Sequence, residues 1–144
     1  MTMAAAVKSD KPDEVLLVQD FWDQPMSGVA TFQGGFYAFQ RIYDEAGQAW
    51  SSEFRLRPLS GVELAQFNEM DAIFKAWRAA YDSGKAGPHP LMPEAAGAAA
   101  DRYKVLYQII DGILHGETEQ SVRCTGTMTA VGPDKRYVVQ WQKQ

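Results

Sequence analysis

The apolar positions of this chain change period twice, from two to about 3.6 and back again. From Glu14 to Trp22 a continuous apolar run with β-branched and aromatic members reads as a strand, and Pro25 within Asp23–Ser27 punctuates it. Val29–Gln33, Phe36–Tyr43 and Ala49–Arg57 then alternate as strands of an antiparallel meander spanning Gly28 to Pro58. Gly34-Gly35 is expected as a two-residue hairpin loop, and Asp44–Gln48 as a type I turn with Gly47 left-handed.

Pairing Gln33 with Phe36 and Asp44 with Gln48 sorts the meander's side chains onto two faces. One face collects Val29, Thr31, Phe36, Ala38, Gln40, Ile42, Trp50, Phe54 and Leu56, and reads as the core side. The other collects Ala30, Phe32, Tyr37, Phe39, Arg41, Tyr43, Glu53 and Arg55, an aromatic surface edged with charge. That surface is either covered by the first strand or the last hairpin, or free to bind.

Period 3.6 begins at Ser60. Ser60 with Glu63 forms a capping-box pattern, and Phe67, Met70, Phe74, Trp77 and Tyr81 make an apolar stripe expected to lie on the sheet; Gly84 ends the helix. After the Gly/Pro-rich loop of 85–93, a second helix can start at Pro93 and is firm from Asp101. Tyr103, Leu106, Ile109, Ile110 and Ile113 form its buried side, and Gly116 stops it. Gln120–Val131 and Arg136–Gln142 flank the turn 132–135 as a second hairpin. Strands and helices are segregated, which predicts an α+β fold. The expected architecture is an antiparallel sheet of N-terminal strand, meander and C-terminal hairpin, with two helices packed on one face. Residues 1–13 should form a flexible segment before a single domain over 14–144.

Composition narrows the function classes. The chain has 144 residues, enough for one core, and a net charge of −4, which argues against nucleic acid as partner. No apolar run reaches the ~20 residues of a membrane span and no signal-peptide pattern opens the chain, so a cytoplasmic location is expected. Cys124 is the single cysteine and excludes an intrachain disulfide; it reads as a small apolar residue in a strand.

Candidate chemistry is sparse. His89 and His115 lack metal-ligand spacing, so no metal is expected, and no phosphate cradle or nucleophile motif points to a cofactor or catalytic residue. His115 falls in a last helical turn, where a cation complements the macrodipole. His89, between Pro88 and Pro90, is a loop residue or a ligand-binding group. Asp20 and Asp23 are turn and edge residues or a carboxylate pair. Two functional readings follow, beside a third in which the chain is a purely structural accessory subunit. The first is a non-catalytic module that binds a protein partner or itself through Tyr37, Phe39, Arg41, Tyr43 and Arg55, a composition enriched at interfaces. The second is a small enzyme or small-molecule binder with Asp20, Asp23 and His89 around a pocket by the 85–93 loop.

The stretch Phe21-Trp-Asp-Gln-Pro-Met-Ser-Gly-Val-Ala-Thr-Phe-Gln-Gly34 resembles the opening of an uncharacterised bacterial domain family that starts with aromatic-x-Asp-x-Pro-x-Ser-Gly before a strand. Phe39–Tyr43 and Phe54–Pro58 are similar in character to that family's next two strands, while Trp22 and Gln24 depart from its pattern. The resemblance implies one structured turn at Asp23, Pro25, Ser27 and Gly28, and no activity.

Overall fold

A computed structural model describes residues 12–134 and 136–144; of the N-terminal segment expected to fray, residues 1–11 lie outside the described residues. The strands are β1 (Asp13–Trp22), β2 (Gln24–Phe32), β3 (Gly35–Asp44), β4 (Ala49–Pro58), β5 (Val122–Val131) and β6 (Arg136–Lys143). Two helices, α1 (Gly61–Asp82) and α2 (Ala98–His115), lie between β4 and β5 in sequence. The fold is α+β with antiparallel strands, and the chain divides into two compact units: the strands, and the helical segment Leu59–Glu117.

The expected open sheet with helices on one face is overturned, because the sheet closes into a barrel in the order β1-β2-β3-β4-β5-β6. Closure is made by Asp13, Glu14 and Val15 of β1 pairing with Val139, Val138 and Tyr137 of β6. A closed barrel leaves no strand edge unpaired and turns one face of every strand into a shared interior, which bulky side chains must fill. Three register shifts along β1 against β2 supply the local coiling that closure needs. At Gly28 (φ 154°) the two strands come so close that a Cβ would lie 1.9 Å from the Leu17 carbonyl oxygen. Pro25 does not break the chain as expected: it sits in β2 opposite Phe21, near the strand's start, a position proline tolerates. The turn before it is Asp23 alone, at φ 63°.

Turn geometry then decides which side chains meet. Between β2 and β3 the loop is Gln33-Gly34, both at positive φ (50° and 78°) as a type I′ turn requires, and not Gly34-Gly35. Phe32 therefore pairs with Gly35, two residues away from the expected register in summed position, and the face assignment of β2 and β3 survives. Between β3 and β4 it does not. The turn spans Glu45–Gln48, with Gln48 (φ 52°) rather than Gly47 left-handed, so Asp44 pairs with Ala49. A further shift between Arg41 and Tyr43 leaves Arg41 opposite Phe54 and Phe39 opposite Leu56. The odd offset turns β4 over relative to expectation, because the side-chain period is two. Phe54 and Leu56 join Ala30, Phe32, Phe39 and Cys124 in one buried cluster, with Val15, Tyr37, Val122, Met128 and Trp141 packed against it.

In the helical unit the capping box is present: Ser60 Oγ accepts from the Glu63 amide at 3.1 Å and Glu63 Oε1 from the Ser60 amide at 2.9 Å. Helix α1 ends at Asp82, with Gly84 at φ 75° beyond it. Helix α2 starts at Ala98 rather than Pro93, behind Gly97 at φ 108°, and stops at Gly116. The aromatic stripe of α1 is used inside this unit. Phe74, Trp77 and Tyr81 stack in sequence, and His89 from the loop packs on Phe74, Trp77 and Tyr103 at 5.0–5.8 Å. Among the described residues no helix is long and apolar enough to cross a membrane.

Candidate binding site at the hairpin end of the barrel

The five residues expected to form one recognition face are separated by the closed barrel. Tyr37, Phe39 and Arg41 are successive inward positions of β3. Phe39 is fully buried, its ring 6.0 Å from that of Phe54 and 6.2 Å from that of Trp141, and Tyr37 is half-buried, edge-on to Phe32 at 5.2 Å. Arg55 pairs with Gln40 and Arg123, so it belongs to the opposite face of the sheet. Only Tyr43, at the end of β3, is largely exposed. The aromatic-basic surface is thus core for most of its length and emerges at one end.

That end is built by strand direction. β1, β3 and β5 finish there, and the turns into β2, β4 and β6 lie there. Four large aromatic side chains are exposed beside these turns: Phe21, Trp22 (73% exposed), Tyr43 and Trp50 (49%). Tyr43 and Trp50 are directly paired across β3 and β4, ring edge to ring face at 5.0 Å. Phe21 leans on Tyr137 of β6 at 6.3 Å. Trp22 pairs with Gln24 across the one-residue Asp23 turn.

One layer below Tyr43 on the same side of β3 lies Arg41, only 9% exposed. Its guanidinium lies 4.3 Å above the centre of the Phe54 ring, donates from Nη1 to the Ser51 carbonyl oxygen at 2.8 Å, and from Nη2 to Gln24 Oε1 at 2.9 Å. Its Nε–H is buried without an acceptor, and no ion pair to a carboxylate is present among the described residues. Burial lowers its pKa, yet a guanidinium stays charged in proteins. Buried arginines are ordinarily paired, since desolvating a lone cation is costly. The turns around it carry Asp23, Asp44 and Glu45, all exposed to solvent, and Asp44 Oδ1 accepts from the Ala46 amide at 3.1 Å.

The alternative group of Asp20, Asp23 and His89 is distributed over both units. Asp20, on β1, accepts from the buried Ser27 hydroxyl at 2.9 Å, and Asp23 forms the β1–β2 turn. His89 belongs to the helical unit, where its Nδ1 accepts from the Leu91 amide at 3.0 Å, leaving the neutral ring's proton on Nε2. His115 Nδ1 lies 2.9 Å from the Asp111 carbonyl oxygen in the last turn of α2. Cys124 is buried in the barrel, which pushes its thiol pKa up. Among the described residues no three His, Cys, Asp or Glu side chains gather as a metal site would require.

The helical unit has a groove of its own, about 600 Å³, between α1, α2 and the 87–90 loop. Ala72, Ala76, Ala96 and Ala99 make it roomy and Trp77 forms one wall, held by its Nε1 donating to the Gly87 carbonyl oxygen at 3.1 Å. Its lining carboxylate, Glu69, is engaged by Arg102 in two hydrogen bonds of 2.7 and 2.9 Å.

Trp22, Gln24 and Trp50 were not singled out by sequence reasoning as a site. The available signal was the Trp-Asp-Gln turn, which places two side chains flanking one left-handed residue at a strand end. Comparison with protein-family models, with curated proteins and with solved structures finds no match to this chain.

Proposed function

We propose that this protein is a non-catalytic binding module whose contact surface is the hairpin end of the barrel, with Trp22, Trp50, Tyr43 and Phe21 as anchors for a protein partner. The observation that carries this reading is the exposure of four large aromatic side chains on one end of a barrel whose interior is already filled by others. Rigid aromatic groups with little rotamer freedom are what dominate the energetics of protein interfaces. The net charge of −4 favours protein over nucleic acid as partner. A cytoplasmic setting belongs to the same reading, in keeping with the single buried thiol of Cys124.

The test is a photo-crosslinker placed at position 22 or 50, compared with one at the exposed Thr127 on β5. The same protein should be captured from 22 and from 50 and not from 127. The double variant Trp22→Ser/Trp50→Ser should lose that partner with nearly unchanged melting temperature, whereas Phe39→Ala should cost about 3–5 kcal/mol of stability. Capture that survives the double variant removes the proposal.

The groove in the helical unit supports a second reading, a small apolar ligand, since its volume falls within the roughly 300–1,000 Å³ typical of ligand sites. Fluorescence of N-phenyl-1-naphthylamine should rise on binding and be abolished by Ala99→Phe, which fills the groove. Equal fluorescence from both proteins would exclude it.

A further inference from the structure

We infer that the hairpin end recognises a carboxylate set beside an apolar side chain in a peptide segment, with Arg41 as the anion's partner and Gln24 as the group that covers Arg41 until the carboxylate arrives. The inference rests on the reading of this end as a binding surface and specifies what it selects.

Three observations converge. Arg41 is a nine-tenths buried cation with an orphan Nε–H and, among the described residues, no carboxylate partner. Its Nη2 is capped only by a neutral amide oxygen, that of Gln24, a residue exposed on the strand next to the Asp23 turn. Trp22 pairs with Gln24 at the end of β1, and the exposed Tyr43–Trp50 pair closes β3 and β4 two residues beyond Arg41 on β3, so apolar ring area lies at the same end as the charge.

The chemistry favours exchange of Gln24 for an anion. A carboxylate adds a full opposite charge and a bidentate geometry that the neutral Gln24 amide cannot offer the guanidinium, and the low-dielectric surroundings of Phe54 strengthen that attraction. Ser51 keeps Nη1 engaged meanwhile, so the guanidinium stays in place over the Phe54 ring. The exposed Asp23, Asp44 and Glu45 oppose an approaching anion, but solvent and salt screen them, whereas Arg41 is shielded from both. A lone buried cation therefore outweighs them at contact distance.

The probes are N-acetyl-phenylalanine as its carboxylate and N-acetyl-phenylalaninamide, which share a shape and differ in charge. With ¹⁵N-labelled protein, the side-chain Nε–H signal of Arg41 and the indole N–H signals of Trp22 and Trp50 are followed by NMR. The carboxylate should shift all three along one saturation curve, with an affinity about tenfold or more above that of the amide. Gln24→Glu, which supplies an internal carboxylate, should raise the melting temperature and weaken the carboxylate probe about tenfold. Equal affinities for the two probes with shifting indole signals would overturn the carboxylate inference while leaving the aromatic surface standing. An unmoved Arg41 signal overturns it as well. Loss of nothing in the crosslinking experiment would instead bring down the underlying reading.

Discussion

Gly126 pairs directly across β5 and β6 with Trp141, and a methyl group there tests whether the barrel interior is packed as described. A Cβ at 126 would lie 2.6 Å from Trp141 Cζ3, 2.9 Å from its Cε3 and 3.0 Å from Phe54 Cδ1. All three separations are below any ordinary van der Waals contact, so the indole has to move. Its freedom is limited, because Nε1 donates to the Thr31 carbonyl oxygen at 3.0 Å and the ring abuts Phe54 at 5.2 Å. Overpacking of this kind costs about 1–3 kcal/mol, and losing the indole hydrogen bond about 1 kcal/mol more. Against this, alanine restricts the unfolded chain and recovers roughly 0.4–1 kcal/mol, since Gly126 is not at positive φ. Gly126→Ala should therefore destabilise by about 1–3 kcal/mol, measured by urea unfolding followed by far-UV circular dichroism. Adding Trp141→Leu removes the clash, so the double variant should be more stable than the sum of the singles by about 1 kcal/mol or more. A Gly126→Ala protein within about 0.5 kcal/mol of wild type, or strict additivity, would refute the packing.

Two further outcomes follow from local features. Burial, opposed in part by Lys143, holds the Cys124 thiol above its ordinary pKa. The unfolded thiol ionises first, so stability should fall as pH rises from about 8.5, the unfolded thiol's value, toward the folded one. Cys124→Ala should flatten that part of the stability profile, and an unchanged slope would show that the thiol is not desolvated. Ser60→Ala removes the acceptor for the Glu63 amide at the start of α1 and should cost about 1 kcal/mol by chemical denaturation, with Ser60→Thr recovering most of it. No loss for alanine would mean that the cap contributes nothing.

Much of the local structure was legible because it depends on near neighbours. The meander, both helices, the Ser60–Glu63 box and the β5–β6 hairpin follow from period, caps and turn residues within a few positions of one another. The facing of β4 was not legible. It depends on one residue of offset at Glu45–Gln48, which moves Phe54 and Leu56 from one side of the sheet to the other; the irregularity after Arg41 shifts the register by two and leaves that facing unchanged. Where Pro25 lies was misleading for a related reason: proline is excluded from central ladder positions but not from a strand's opening residues.

What the residues determined unaided was a set of amphipathic strands and two capped helices, with an aromatic-basic row at Tyr37, Phe39, Arg41 and Tyr43. Tertiary structure alone decided where that row lies. Closure of β1 onto β6 joins residues more than a hundred positions apart, and no local pattern encodes it. Once closed, the barrel needs Phe39 to fill its interior, leaves Arg41 at the limit between core and solvent, and exposes Tyr43 beside Trp50. A single alternating strand thus supplies core, buried charge and surface in turn, because its inward side runs from the packed middle of a barrel to the end where its hairpins turn.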